Sequence, residues 1–234
     1  MINKALIRFV FASFVLLIGC ITENDVRAQS PGMNWGIRLG LNAVSITNYE
    51  VYQAGEILTD ISYTNKYGYL INAFARFNIN RVFLQPELGW NNYRRACSFS
   101  IPVESGDNYY YPSIDLDMDS KVINSNFLVG YNIVNDYPFL FGVFVGSAFT
   151  GTYRTDFSMN SEESYLKTGL FLNYSGILGF SINISRIYFD LRYEISLPDA
   201  NQTLSEIPDF PENFHNVKIK KKEAILSFSV GIMF

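Results

Sequence analysis

The sequence predicts an all-β fold, an eight-stranded antiparallel up-and-down transmembrane β-barrel, and three observations lead to it. Apolar and polar residues alternate in eight segments, which is the period of a strand with one apolar face. Short and long connections follow one another in turn along the chain. Charged residues make up only 17% of the sequence and aromatic residues 16%, which suits a sheet whose large side chains face lipid.

The eight segments are defined by the apolar residues at every second position. In chain order they are 34–47 (Trp35, Ile37, Leu39, Leu41), 66–78 (Tyr69, Ile71, Ala73, Ala75, Phe77), 82–94 (Val82, Leu84, Pro86, Leu88, Trp90), 121–133 (Ile123, Phe127, Val129, Tyr131), 138–153 (Phe139, Phe141, Val143, Val145, Phe149), 168–184 (Leu178, Phe180, Ile182, Ile184), 187–197 (Phe189, Leu191, Tyr193, Ile195) and 222–234 (Ala224, Leu226, Phe228, Val230, Ile232, Phe234). Beyond the N-terminal region, no apolar stretch reaches the roughly 18 residues of a membrane-spanning helix. The membrane crossing is therefore predicted to be made by strands.

The connections between the segments alternate in length. The long ones are 48–65, 95–120, 154–167 and 198–221, and the short ones are 78–81, 134–137 and 185–186. Antiparallel hairpins with this rhythm place all short turns at one end of a barrel and all long loops at the other. Outer-membrane barrels have this asymmetry, with short periplasmic turns and long extracellular loops. We therefore expect an integral protein of the bacterial outer membrane with both termini in the periplasm.

Two places depart from the regular pattern. Pro86 lacks the N–H that a fully paired strand needs, so a bulge or a locally widened ladder is expected there. Residues 113–118 alternate out of phase with 123–131, and a bulge near 120–122 is expected to extend the fourth strand beyond the membrane. The last segment is expected to pair with the first, because the hydrocarbon layer offers no partner to an open sheet edge.

The faces opposite the apolar ones carry charges of both signs. They include Arg38, Arg76, Glu87, Asp190, Arg192 and Glu194. If the apolar faces contact lipid, these charges lie in an interior that has little space beyond its own side chains. An unpaired buried ion costs several kcal/mol, so we expect the six to pair with one another and to plug the lumen. The alternative is a soluble β-sandwich on which they are ordinary solvent-facing charges.

The N-terminus has the pattern of a secretory signal. Lys4 and Arg8 precede the apolar run 9–19, which is too short to span a bilayer as a helix. Cleavage after Ala28 is favoured, which assigns residues 1–28 to a signal peptide and 29–234 to the barrel domain. The competing interpretation is lipidation of Cys20 in a lipobox-like sequence. The other cysteine, Cys97, leaves no intrachain disulfide framework.

Two loop segments carry groups of chemical interest. Residues 115–120 (Asp-Leu-Asp-Met-Asp-Ser) begin like a calcium loop, but Ser120 and Asn126 stand where an EF-hand needs Gly and Glu. Solvated carboxylates at a strand end are expected, and no metal site is assigned. The single histidine, His215, lies among carboxylates in the last long loop, where a base with an orienting acid makes a rim hydrolase a remote hypothesis. No catalytic residue is assigned.

Two further segments suggest surface contacts. Residues 108–112 (Asn-Tyr-Tyr-Tyr-Pro) either anchor a partner or mark the upper lipid interface. Residues 218–223 (Lys-Ile-Lys-Lys-Lys-Glu) form a basic patch that is expected to face lipid phosphates, with partner binding as the other interpretation.

Four stretches carry a resemblance to a known family. They are 35–42 (WGIRLGLN), 83–89 (FLQPELG), 187–193 (IYFDLRY) and 227–234 (SFSVGIMF). Together they resemble the PorT-family outer-membrane β-barrel domain, whose relatives are also grouped as porin-family proteins, over nearly the whole mature chain. The resemblance implies that Phe228, Val230, Ile232 and Phe234 are the signal read by the barrel-insertion machinery. It also implies an accessory role in secretion.

Composition narrows the function. The net charge is −4 and no basic stripe points to nucleic acid, and no cofactor is expected. The expected partners are outer-membrane lipid and lipopolysaccharide, the barrel-insertion machinery and an unidentified protein at the extracellular loops. The predicted function is non-enzymatic: a structural, partner-binding or secretion-accessory barrel. A narrow passive pore is the alternative, and the rim hydrolase is the remote one.

Overall fold

The computed structural model describes residues 32–53, 56–58, 61–100, 103–105, 108–110, 113–136, 138–160, 163–197, 200–203 and 217–234. Nearly all of them are in β-strands. In these ranges there is no helix with the length and apolar character needed to cross a membrane.

The strands form one closed sheet with a few short additions. In chain order they are β1 Met33–Gln53, β2 Glu56–Leu58, β3 Ile61–Asn65, β4 Tyr67–Ile79, β5 Val82–Ser100, β6 Val103–Ser105, β7 Asn108–Tyr110, β8 Ser113–Asp136, β9 Phe139–Met159, β10 Glu163–Ile184, β11 Ile187–Ser196, β12 Ala200–Thr203 and β13 Val217–Met233. The long strands β1, β4, β5, β8, β9, β10, β11 and β13 pair antiparallel in that order, and β13 pairs with β1. The described residues thus confirm the predicted all-β, eight-stranded, antiparallel up-and-down barrel. The short strands β2, β3 and β12 pair with β1, β5 and β13, while β6 and β7 form a separate hairpin.

Tight connections between strands lie at one end of the ring, which we call the turn end. They join β4 to β5 through Asn80 and Arg81, and β10 to β11 through Ser185 and Arg186. Asn80 and Ser185 both have a φ of 56°, in the left-handed region that Asn tolerates better than most side chains. Because Met33 and Phe234 are also at this end, the long connections belong to the opposite end, the loop end.

The ring closes between β1 and β13. At the turn end the N–H of Trp35 donates to the carbonyl of Phe234 at 3.1 Å, and the N–H of Phe234 donates to the carbonyl of Trp35 at 2.7 Å. The two rings stack with their centroids 4.5 Å apart. The predicted pairing of first and last strands is confirmed, and it leaves no open edge for the hydrocarbon layer to solvate.

In the half of the barrel next to the turn end, the outward side chains are apolar, and the inward ones are polar side chains together with buried apolar groups around Phe83 and Phe74. On β8, the outward apolar residues from Ile123 through Phe127 to Ile133 are 40% to 48% exposed, whereas Asn124 and Asn126 are buried. This is the arrangement of a membrane barrel, with lipid outside and a polar interior.

Toward the loop end the two faces exchange character. On the same strand Ile114, Leu116 and Met118 are buried, and the acidic side chains of Asp115 and Asp117 alternate with them on the outer face. The ladder between β8 and β5 has an unbroken register throughout. The alternation of faces therefore continues, and the surroundings change from lipid to water.

The sequence prediction is wrong about where these strands end. The sequence predicts a loop over residues 95–120, but β5 runs to Ser100 and β8 begins at Ser113. The predicted loop 154–167 likewise contains the ends of β9 and β10. The expected bulge near 120–122 occurs only against β9, where Tyr153 is the extra residue between the pairs Lys121–Arg154 and Val122–Thr152. The out-of-phase pattern of 113–118 thus marks the exchange of faces.

Pro86 is accommodated by a locally interrupted ladder. The β4–β5 pairs reach Phe74 opposite Glu87 and resume at Phe77 opposite Leu84 in the same register. Proline lacks the ladder donor, which accounts for the interruption. The sequence predicts a bulge or a widened ladder, and no bulge is found, since the register is unchanged across the interruption.

Candidate functional site

The candidate functional site is a cluster of buried charges in the barrel interior. Arg38 comes from β1, Glu87 from β5, and Asp190 and Arg192 from β11, each at an inward position of its strand. Their side chains are at most 4% exposed. In the ring, β5 and β11 are four strands apart in either direction, so they lie on opposite walls. Contacts between Glu87 and Arg192 therefore cross the full width of the lumen.

The carboxylate of Glu87 is the centre of the cluster. It accepts hydrogen bonds from Arg192 Nη1 at 2.6 Å and Nη2 at 2.7 Å, and from Arg38 Nη2 at 3.0 Å. Gln85 Nε2 donates to it at 2.7 Å and Asn126 Nδ2 at 3.0 Å. The two-point contact with Arg192 has the fork geometry that makes arginine–carboxylate pairs strong and directional.

Asp190 is the second anion of the cluster. It accepts from Arg192 Nε at 2.6 Å and Nη2 at 2.7 Å, from Arg38 Nη1 at 3.3 Å and from the hydroxyl of Tyr188 at 2.9 Å. Two arginines and two carboxylates make the cluster neutral, which is the condition under which buried charges are tolerated.

The other two charges predicted for the lumen lie elsewhere in the interior. Arg76 is 1% exposed and donates to Asn132 Oδ1 at 2.7 Å. Its guanidinium also stacks on the ring of Phe83, 3.5 Å from the centroid. Glu194 is hydrogen-bonded to Ser175. The structure thus brings four of the six predicted residues together and gives Arg76 and Glu194 neutral hydrogen-bond partners.

A second obstruction lies between the cluster and the loop end. Val44, Tyr93, Val122 and Ile225 come from β1, β5, β8 and β13 and form a buried apolar group. Next along β5 and β13, Arg95 Nη2 pairs with Glu223 Oε2 at 3.0 Å. Sequence analysis missed this ion pair because it assigned Arg95 to a loop. Continuing the alternation of β5 beyond residue 94 would have placed Arg95 on the inward face.

Tyr188, Gln85 and Asn126 were also missed as members of the site. Each stands at an inward position next to a predicted charge on its own strand or the neighbouring one, so the alternation carries the signal for them. Because the three side chains are neutral, the pattern of charges does not single them out.

Outside the barrel, a charged belt lies just beyond the apolar surface, on β5, β8 and β9 and at Lys66, the residue before β4. It consists of Lys66, Arg94, Lys121, Arg154, Asp117, Asp119 and Asp156. Its ion pairs join Lys66 to Asp117 at 2.7 Å, Arg94 to Asp119 at 3.3 Å and Arg154 to Asp156 at 2.9 Å. Hydrogen bonding to Asp156 raises the pKa of the Arg154 guanidinium. Within the described ranges, no group of three His, Cys, Asp or Glu residues is arranged to hold a metal ion.

Several predicted features lie outside the described residues or their described side chains. They are the signal peptide 1–28 with Cys20, the aromatic segment 108–112, His215, and the lysines of the basic patch 218–221. The residues predicted as the insertion signal are described: Phe228, Val230, Ile232 and Phe234 lie on the outward face of the closing strand, or just after it, and are 37% to 52% exposed.

The lipid-facing outer wall, closed ring and polar interior define an integral β-barrel of the bacterial outer membrane. The chain belongs to the family described as outer membrane protein beta-barrel domain, whose model matches residues 27–202. No curated protein matches the sequence.

The chain is similar to solved outer-membrane structures, and the first of the three that follow has the same fold. The outer membrane protein OprG from Pseudomonas aeruginosa is 13% identical, with 90% of this chain and 99% of that chain covered and a TM-score of 0.54. Ail, the attachment invasion locus protein of Yersinia pestis, in complex with the heparin analogue sucrose octasulfate, is 17% identical over 87% and 99% of the two chains, with a TM-score of 0.39. The outer membrane protease OmpT from Escherichia coli is 10% identical over 90% and 99%, with a TM-score of 0.44.

Proposed function

We propose that the protein is a closed outer-membrane barrel that conducts no solutes and serves as a structural or partner-binding protein through its loop end. In this proposal the turn end faces the periplasm and the loop end faces the outside, following the usual asymmetry of such barrels. An accessory role in secretion, which the resemblance to the PorT family implies, is the finer form of the same proposal.

One observation carries the proposal: Arg192 and Glu87 meet across the full width of the lumen through hydrogen bonds of 2.6 Å and 2.7 Å. An ion must displace this contact to pass, and separating buried partners of this kind costs several kcal/mol. The apolar group around Tyr93 then opposes passage, because its side chains cannot replace the water molecules that a hydrated ion would shed.

Conductance in planar lipid bilayers tests the proposal. We expect the wild-type barrel to give no current steps above the baseline. The triple variant E87S/R192S/Y93A removes the contact between Glu87 and Arg192 and the aromatic ring of Tyr93. It leaves the net charge of the lumen unchanged and is expected to give small current steps. Circular dichroism checks that both proteins hold the same β content. Steady current steps from the wild-type barrel would contradict the proposal.

A narrow passive pore is the second candidate, and the polar lining of the lower interior favours it. Ser181 Oγ and Asn183 Oδ1 are buried and have no hydrogen-bond partner within the described part of the chain. Buried polar atoms of this kind are commonly satisfied by water. Water on the turn-end side of the cluster makes a pore only if the cluster opens, and the same conductance measurement separates the two candidates.

A further inference from the structure

Two cations of the charged belt face each other directly. Lys121 on β8 and Arg154 on β9 are register partners, and both point outward. Like charges in this position across an antiparallel ladder are destabilising. The pair occupies the first outward position beyond Ile123, the last apolar residue of the lipid-facing surface on β8.

Among the described residues, Asp156 is the carboxylate within ion-pair distance of both cations, while Asp119 beside it pairs with Arg94. Arg154 engages Asp156 fully, with Nε at 3.0 Å from Oδ1 and 3.1 Å from Oδ2 and Nη2 at 2.9 Å from Oδ1. Lys121 Nζ stands 3.9 Å from Asp156 Oδ2, beyond hydrogen-bond distance. By contrast, Lys66 and Asp117 elsewhere in the belt form a one-to-one pair at 2.7 Å. The Lys121–Arg154 position therefore carries an excess of positive charge.

An aromatic platform lies directly next to these cations on the lipid side. The Nε1 of Trp90 donates to the hydroxyl of Tyr153 at 2.8 Å, and the ring of Tyr69 is 5.4 Å from that of Trp90. Trp and Tyr favour the level where hydrocarbon meets headgroups. Lys121 and Arg154 lie one outward position beyond that level, where a side chain can contact the phosphate groups of the adjacent leaflet.

We propose that Lys121 and Arg154 form a binding site for a phosphate of a phosphorylated glycolipid in the leaflet at the loop end, with the lipid lying against Trp90 and Tyr153. The arginine supplies planar N–H donors and the lysine a mobile point charge, the two modes in which proteins bind phosphate. The bound phosphate neutralises the positive charge that remains when Asp156 pairs with Arg154. The identity of the leaflet rests on the orientation given under the proposed function.

Lipid binding to the intact barrel in detergent micelles, followed by native mass spectrometry, tests the site. The probes are lipid A with its two phosphates and the same lipid after removal of both phosphates. Wild-type protein is expected to bind the phosphorylated form at least about tenfold more tightly. The K121Q/R154Q variant is expected to lose about tenfold in affinity for the phosphorylated lipid and to bind the dephosphorylated lipid as wild type does.

Two further variants keep the test decisive. R81Q/R186Q removes two exposed arginines at the turn end, so it makes the same charge change away from the site and is expected to bind like wild type. K121R/R154K keeps both charges and is expected to retain binding, which separates lost charge from disturbed folding. Equal affinity of wild type for the two lipids would overturn the site, and so would equal losses in K121Q/R154Q and R81Q/R186Q. Neither result depends on conductance, so this inference and the closed-lumen proposal fail independently.

Discussion

The carboxylate of Glu87 accepts five hydrogen bonds, three of them from the guanidinium groups of Arg38 and Arg192. With Asp190 it balances both arginines in a space closed to bulk water. Loss of one member of such a group costs more than loss of a neutral pair, because the remaining charge is left buried without its partner.

Replacement of Glu87 by Met, which fills a similar volume, is expected to lower the free energy of unfolding by about 3–5 kcal/mol. The reason is that Arg38 and Arg192 then share Asp190 alone. The measurement is reversible urea unfolding from lipid vesicles, followed by the fluorescence of Trp35 and Trp90.

The matched control is the neutral double variant E87M/R192M, which leaves the Arg38–Asp190 pair in place. We expect it to be more stable than E87M. A double variant whose loss equals the sum of those of E87M and R192M would show that the cluster does not act as a unit.

At this scale the sequence predicts which charges face inward but not which of them meet. Alternation along a strand fixes the face of Arg76 and Glu194 as firmly as that of Arg38. Whether two inward residues stand at the same height depends on strand tilt and register between walls, which residues far apart in the chain determine together. For that reason all six charges were predicted as one group and only four of them form one.

The strands themselves show how a single alternating pattern serves two surroundings. The outward residues of segments 82–94 and 121–133 are apolar, so the alternation predicts strands only as far as the point where those residues become polar. β5 and β8 continue beyond that point with Phe99, Leu116 and Met118 now facing inward. A prediction that relies on outward apolar residues alone therefore ends the strand too early, at the level where the outward residues become polar and the inward ones apolar.

Packing inside the barrel also limits side-chain size on individual strands. Gly130 of β8 faces inward, and a Cβ there would overlap the ring of Phe83, on which Arg76 stacks. Gly176 of β10 has open space around its Cβ position. We expect Gly130→Ala to lower the free energy of unfolding by about 1–3 kcal/mol through overpacking.

Gly176→Ala is the matched control and is expected to be neutral or to stabilise by up to about 1 kcal/mol, since alanine loses less backbone entropy on folding. Both are measured by the same urea unfolding. Equal effects of the two substitutions would mean that the ring of Phe83 moves aside freely.

As a whole, the barrel has two halves that differ in the polarity of their outer walls. The outer wall is apolar near the turn end, as in a membrane protein, and charged near the loop end, as in a soluble protein. Below the level of Lys121 the outer wall is apolar and the interior holds the charge cluster beside apolar side chains such as Phe83, and beyond it the outer wall is charged and the interior holds Leu116, Met118 and the Arg95–Glu223 pair. Lipid around the first half and water around the second account for this change, because the outer wall is apolar in the first half and charged in the second. The charged belt and the Trp90–Tyr153 pair therefore mark the membrane boundary.

Because of this boundary, the effect of an outward charge on the free energy of unfolding depends on its position along the barrel axis. Val145 of β9 is 63% exposed in the middle of the lipid-facing surface, and Val145→Arg is expected to lower the free energy of unfolding from lipid vesicles by about 2–4 kcal/mol. Ser98 of β5 also points outward, but beyond the belt and opposite Asp115, so Ser98→Arg is expected to change it by no more than about 0.5 kcal/mol. Both variants carry the same added charge on the same outer wall, and urea titration of each in vesicles compares them directly. A similar loss of stability at the two positions would mean that the bilayer covers the loop end as well. A negligible loss for Val145→Arg would mean that lipid does not contact the apolar surface around Val145.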